Sequence, residues 1–195
     1  MEEKPGNIVD ITDRVLVDKE LIVRASEGDK DAFGRLVLKY QKKLFRFLFM
    51  MLGKKDATED ITQEAFVKAY MALGSFNSEK AFYPWVATIA RNLAINYLKR
   101  NAKEKPASEY DDFLVSRPDT AGNPLDHLLE KEADKKLAEA IAMLPQKYRV
   151  VFVMRMFEKM SYEDIARQLS ISVGTVDSRI FRAREKLMQM LKDYI

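Results

Sequence analysis

The 195-residue chain contains no cysteine. That excludes disulfides, thiolate nucleophiles and cysteine-ligated metal, and it suits a reducing cytoplasm. Histidine occurs once, at His127, inside an acidic stretch where a solvated or capping role fits better than catalysis. Glycine and proline are scarce, at 7 and 6 residues, and no glycine-rich phosphate loop is present. Strand-type alternation of useful length is missing as well. The greasiest run, LFRFLFMML at 44–52, is interrupted by Arg46 and falls well short of the about 20 apolar residues a bilayer span needs. The amino-terminal MEEKPGNIVDITD is polar and acidic, unlike a secretory signal. Together these absences predict a soluble cytoplasmic binder with no membrane insertion, catalytic residue, metal or cofactor.

What is present is amphipathic helix. A hydrophobic content of 47% suits a chain that buries cores, and the length allows one large domain or two small ones. The net charge of +3 is too mild to indicate nucleic acid by itself, but its distribution is uneven. Arg91 to Lys105 carries five cations against one acid, whereas SEYDDFLVSRPDTAGNPLDHLLEKEAD is acidic. A short helix spans about Asp18 to Glu27 and ends at Gly28. From Asp31, the set Phe33, Leu36, Val37, Tyr40, Leu44, Phe47, Leu48 and Met51 keeps helical spacing until Gly53. Asp56 with Glu59 opens a third helix, with Ile61, Ala65, Phe66, Ala69, Tyr70 and Leu73 predicted inward. A fourth carries Phe82, Val86, Ile89, Leu93 and Tyr97 as its inner stripe. The aperiodic, proline-bearing stretch that follows reads as a linker or functional loop. Two further helices precede SYEDIARQLSISVGTVDSRIFRAREKL, and the methionines at 143, 154 and 156 read as core filler. The predicted fold is all-α: an extension at 1–17, a helical domain at 18–102, an acidic flexible linker at 103–125, and a second helical domain at 126–195.

The Ser161–Leu187 stretch has the layout of a helix-turn-helix. Ser161 caps a short helix, with Asp164 completing an imperfect capping box, and Ser172 caps a longer one. Ile165 and Leu169 face inward, as do Val173, Val176, Ile180 and Leu187, leaving Thr175, Ser178, Arg179, Arg182 and Lys186 outward. On pattern alone an ordinary helical hairpin with a solvated basic face fits equally. Phe76 to Arg100 is more pointed. Aromatic rings interleaved with Arg91, Asn92, Asn96, Lys99 and Arg100 suit unstacked bases, since rings stack on them, amides read their edges and cations hold phosphates. Phe82 and Tyr97 read as core, but the cations and amides need a surface. Glu59, Asp60 and Glu64 read as a solvated face.

At these residues the chain resembles the extracytoplasmic-function class of bacterial RNA polymerase sigma factors, over about 21–102 and 128–192. DATEDITQEAFVKAYMALGSF resembles the family's polymerase-binding helix, AFYPWVATIARNLAINYLKR its promoter-opening helix, and VGTVDSRIFRAREKL its −35-reading helix. The resemblance implies a partner in core RNA polymerase (β and β′ subunits), a second in promoter DNA and a third in an anti-sigma factor, with a role in a stress response. It assigns Asp60, Gln63 and Glu64 to the clamp helices of β′. Phe76, Asn77, Arg91, Asn92, Asn96, Lys99 and Arg100 fall to the −10 element, with the loop Phe76–Lys80 receiving an extruded base. Thr175, Ser178, Arg179, Phe181 and Arg182 fall to the −35 element, and the linker to a path past the polymerase active centre. Two departures stand out: Asp177 where the family often carries Lys or Arg, and a long amino-terminal extension. The rival classes are a conventional helix-turn-helix regulator with a helical sensor domain, and a purely protein-binding helical adaptor or anti-sigma antagonist.

Overall fold

The computed structural model describes residues 18–103 and 132–192, with side chains described over 18–101 and 136–192. The extension at 1–17, the linker at 104–125 and His127 lie outside the described residues. Helix α1 (residues 18–26) leads through Gly28, at φ +99°, into α2 (Lys30–Leu52). Asp29 caps α2, its carboxylate accepting from the Ala32 N–H at 3.0 Å. That amide, then the Arg24 side chain, holds the Asp29 carboxyl below the usual carboxylate range. Helix α3 (Lys55–Ala72) begins one residue before Asp56, with Lys54 at its N-cap and no side-chain cap bond. Asp56 stands instead in the first turn, where the helix dipole favours an acid. Helix α4 (Phe82–Lys103) completes the first unit, packing on α2 and α3.

Three of its expected inner residues, Ile89, Leu93 and Tyr97, are only half-buried, because Ala87, Ala90 and Ala94 fill the close contact and Ile95 and Leu98 take the deep positions. Small residues let helix backbones approach, which rotates the buried stripe away from the large side chains. Tyr70, expected inside, is 37% exposed, its ring lying 4.9 Å from that of Phe33 at the rim.

The second unit holds α5 (Glu132–Met143), α6 (Gln146–Met156), α7 (Tyr162–Leu169) and α8 (Val173–Leu191). Ser161 accepts from the Asp164 N–H at 3.1 Å while its hydroxyl donates to the Asp164 carboxylate at 2.8 Å. Ser172 accepts from the Thr175 N–H at 3.1 Å. Ile165, Val176, Ile180 and Leu187 are buried as expected, whereas Val173, in the first turn of α8, is 42% exposed and Leu169 half-buried. Of the three methionines expected inside, only Met154 is; Met143 and Met156 end their helices and face out.

The two units also pack on each other. The last turns of α2 lie against α5 and α6, and one apolar cluster runs through both units. Phe47 through Leu52 are buried without interruption, and a helix that is apolar all round must be covered all round. The buried guanidinium of Arg149 joins the two. It donates to Met51 O at 3.2 Å and Leu52 O at 2.8 Å at the end of α2, and to Ala142 O at 2.5 Å at the end of α5. Burial pushes its pKa down only to about 10, so at neutral pH it is a cation serving the carbonyl ends of two helices.

Candidate polymerase and nucleic-acid interfaces

Three faces carry the polar and charged side chains that no core contact explains. The first lies on α3. Asp60, Gln63 and Glu64 are exposed, opposite the buried Ile61, Thr62, Ala65 and Ala69. Thr58 and Thr62 turn their hydroxyls back to the carbonyls of Lys54 and Thr58, each at 2.6 Å, and so are spent inside the helix. Glu64 approaches Lys68 at 3.6 Å, one turn on, where solvent leaves such a pair weak. The same face continues through Val67 and Met71, 58% and 79% exposed. Reading only for the buried stripe passes over both; the signal was two large apolar residues at positions off that stripe.

The second face lies on α4 and the loop before it. Phe76 is half-buried, its ring 4.4 Å from Trp85 and 6.3 Å from Phe82. The loop after it is held in shape: the Asn77 side-chain oxygen accepts from the Glu79 N–H at 2.9 Å, and Glu79 pairs with Lys19 of α1 at 2.5 Å. Asn92, Asn96, Lys99 and Arg100 are exposed and follow one another at helical spacing, extended toward the loop by the exposed Thr88 and half-buried Trp85. Arg91 is different. It is only 8% exposed and pairs with Glu158 of the second unit at 2.8 Å, so the expectation of a solvent-facing Arg91 does not hold in this arrangement. Next to that pair, burial first and the Glu158 charge second push the Tyr83 phenol up to about 12 and keep it neutral.

The third face belongs to α8. Ser178, Phe181 and Arg182 are exposed, and Thr175 and Arg179 half-buried. The Thr175 hydroxyl shares a hydrogen bond with Ser172 at 2.8 Å, and Ser178 donates to Thr175 O at 3.1 Å. Arg182 stands 2.8 Å from Glu185 and lies over the Phe181 ring at 6.0 Å. Guanidinium, hydroxyl and an exposed ring can pair with a base edge, a phosphate and a thymine methyl respectively. Among the described residues no acid and histidine cluster is arranged to hold a metal, and no helix is long and apolar enough to cross a membrane.

The comparisons agree with this layout. Residues 36–104 match the family described as Sigma-70 region 2, and residues 134–187 match Sigma-70, region 4. The chain is 39% identical over 181 residues to the RNA polymerase sigma-H factor of Pseudomonas aeruginosa, covering 90% of this chain and 94% of that one. It is 38% identical to the ECF RNA polymerase sigma-E factor of Escherichia coli, covering 88% and 93%. Among solved structures it is similar to the sigma factor RpoE in complex with the anti-sigma factor NepR from Bartonella quintana. That match has a TM-score of 0.52 and 27% identity, and it covers 82% of this chain and 96% of the other. It is also similar to CnrH in complex with the cytosolic domain of CnrY, at a TM-score of 0.50 and 26% identity over 91% and 98%. Two helical units of this kind, in this order, define a sigma factor, an initiation factor rather than a type of enzyme. The chain belongs to the extracytoplasmic-function (ECF) group of sigma factors.

Proposed function

We infer that this sigma factor binds the β and β′ subunits of core RNA polymerase, melts the −10 region and reads the −35 element. As a partner of polymerase it works in the cytoplasm, without a catalytic step of its own. The domain at 18–102 binds polymerase through Asp60, Gln63 and Glu64, with Val67 and Met71 as the apolar part of that contact. It takes unpaired −10 bases at Phe76, Asn77, Asn92 and Asn96, with Lys99 and Arg100 on phosphates. Arg91 joins that surface only if its pair with Glu158 parts. The domain at 126–195 lays α8 in the major groove with Thr175, Ser178, Arg179, Phe181 and Arg182 toward the −35 element. An anti-sigma factor is a further partner, a reading supported by the two similar structures, both complexes.

The observation that carries this reading is the row Asn92, Asn96, Lys99 and Arg100. Two amides and two cations follow in line on one exposed helix face, beside an aromatic loop, where a sensor domain would have no use for them. Run-off transcription with purified core polymerase on a fragmented genomic template tests it. Discrete transcripts that depend on the added protein are expected. Their absence, with core polymerase active on a nicked template, overturns the reading.

A further inference from the structure

Asp18 and Lys19 open α1, and the polymerase and DNA faces described above use neither. They hold different parts of the first unit. Asp18 is buried, and its carboxylate accepts from the Lys39 ammonium at 2.7 Å and from the Tyr40 hydroxyl, both on α2. The Tyr40 ring lies 5.8 Å from that of Phe82, the first residue of α4, and Phe82 lies 6.3 Å from Phe76. Lys19 reaches the other way, its ammonium 2.5 Å from the carboxylate of Glu79. Within the turn Asn77–Lys80 the bonds are local: the Glu79 N–H donates to the Asn77 side chain and the Lys80 N–H to Asn77 O, each at 2.9 Å. Among the described residues, Lys19–Glu79 is the one side-chain hydrogen bond that ties this turn to another helix. Glu79 is also an acid, 71% exposed, in a loop assigned to DNA, where a bare carboxylate repels phosphates.

We propose that α1 braces the base-receiving loop: Asp18 anchors the start of the helix on α2, while Lys19 neutralises Glu79 and fixes the turn Asn77–Lys80 beside Phe76. The proposal rests on the assignment of that loop to −10 bases made above. Asp18, Lys19 and Glu79 are positioning residues, and none of them touches a base. An exposed ion pair adds little to global stability. A short surface turn has few competing contacts, however, so a modest bias decides which arrangement it populates. A loop already in shape spares base capture the entropy of ordering it. The rival role for Glu79 is direct reading, since a carboxylate can accept from a cytosine amine.

Trp85 is the chain's single tryptophan, half-buried and 4.4 Å from Phe76, so its fluorescence reports on the loop in the free full-length protein. Lys19→Glu and Glu79→Lys are each expected to raise acrylamide quenching of Trp85, and the charge swap that combines them to return it to the wild-type value. Lys19→Ala removes the pair without adding a charge and is expected to shift quenching the same way. Circular dichroism verifies that each variant is folded. With core polymerase added, binding is then measured to a −10 single strand from a promoter found by run-off transcription, intact or carrying an abasic site at each position in turn. At the position most sensitive in wild type, the intact-to-abasic affinity ratio is expected to fall about two- to fivefold in either single reversal and to recover in the swap. Using the ratio cancels the bulk effect of each added charge on DNA. Unchanged quenching in the folded single variants, or a swap no better than either change alone, overturns the brace. A swap that restores quenching but not the ratio makes Glu79 a base reader and overturns its positioning role. A wild-type protein indifferent to every abasic site, with quenching responding as expected, supports the brace and counts against the −10 assignment instead.

Discussion

Gly53→Ala is expected to be among the most damaging single-methyl additions in this chain. Its backbone lies at φ +67°, where a Cβ costs about 1–2 kcal/mol on conformational grounds alone. The added Cβ would also stand 2.5 Å from Nη1, 2.8 Å from Cζ and 2.9 Å from Nη2 of Arg149. Those atoms form a rigid plane pinned by bonds to Met51 O and Leu52 O, so they do not swing aside as the tip of a lysine would. Giving up one such charge-assisted bond costs about 1.5–3 kcal/mol, which brings the total to about 2.5–5 kcal/mol. Two other glycines isolate the contributions. Gly28, at φ +99° with nothing within 4 Å, carries the conformational cost without the clash. Gly34, inside α2 with nothing within 4 Å, carries neither, and Gly34→Ala is expected to stabilise by about 0.5–1 kcal/mol. Urea denaturation followed by circular dichroism should rank the three alanine variants Gly34, Gly28, Gly53 from most to least stable. A Gly53→Ala no worse than Gly28→Ala would refute the close approach of Arg149 to the end of α2.

Reversing Asp60 and Glu64 to Lys should weaken binding of core polymerase several-fold with the fold retained, most at low salt, as measured by fluorescence anisotropy of the labelled protein. Asn92→Ala with Asn96→Ala should impair strand opening more than initial promoter binding; permanganate reactivity of unpaired thymines reads this, and a pre-melted template should restore activity. Phe181→Ala and Arg182→Ala, each assayed as the full chain with core polymerase on matched and scrambled −35 duplexes, should cost about 1–3 kcal/mol on the matched duplex if they read bases. Equal loss on both duplexes would reassign them to the phosphates. The depressed Asp29 carboxyl means that its contribution is present above the ordinary carboxylate range and is lost as the pH falls through and below it. Asp29→Ala should therefore flatten the acid limb of the stability curve, below about pH 4, and leave its shape near neutrality unchanged.

Where one helix turn decides the outcome, the sequence was sufficient. The serine caps of α7 and α8 act over three residues, and Leu36, Leu44, Phe47, Leu48 and Met51 of α2 repeat at helical spacing, so these are legible without a partner element, whereas Phe33, Val37 and Tyr40 of the same expected stripe are only half-buried. The exposed rows on α3 and α8 follow from the same spacing, and the family resemblance supplied their roles. The tertiary structure decided everything that depends on what lies across a gap. It put alanines rather than Ile89 and Leu93 against the neighbouring helices, because close approach rewards small side chains and spacing does not encode the distance between axes. It left Met143, Met156 and Val173 in solvent, because a helix end can overhang its support. It buried Phe47 through Leu52 on every side, and it gave Arg91 and Arg149 partners 67 and 97 or more residues away in the chain. A cation's partner at that separation is set by how two units dock, and no local pattern of residues carries that information.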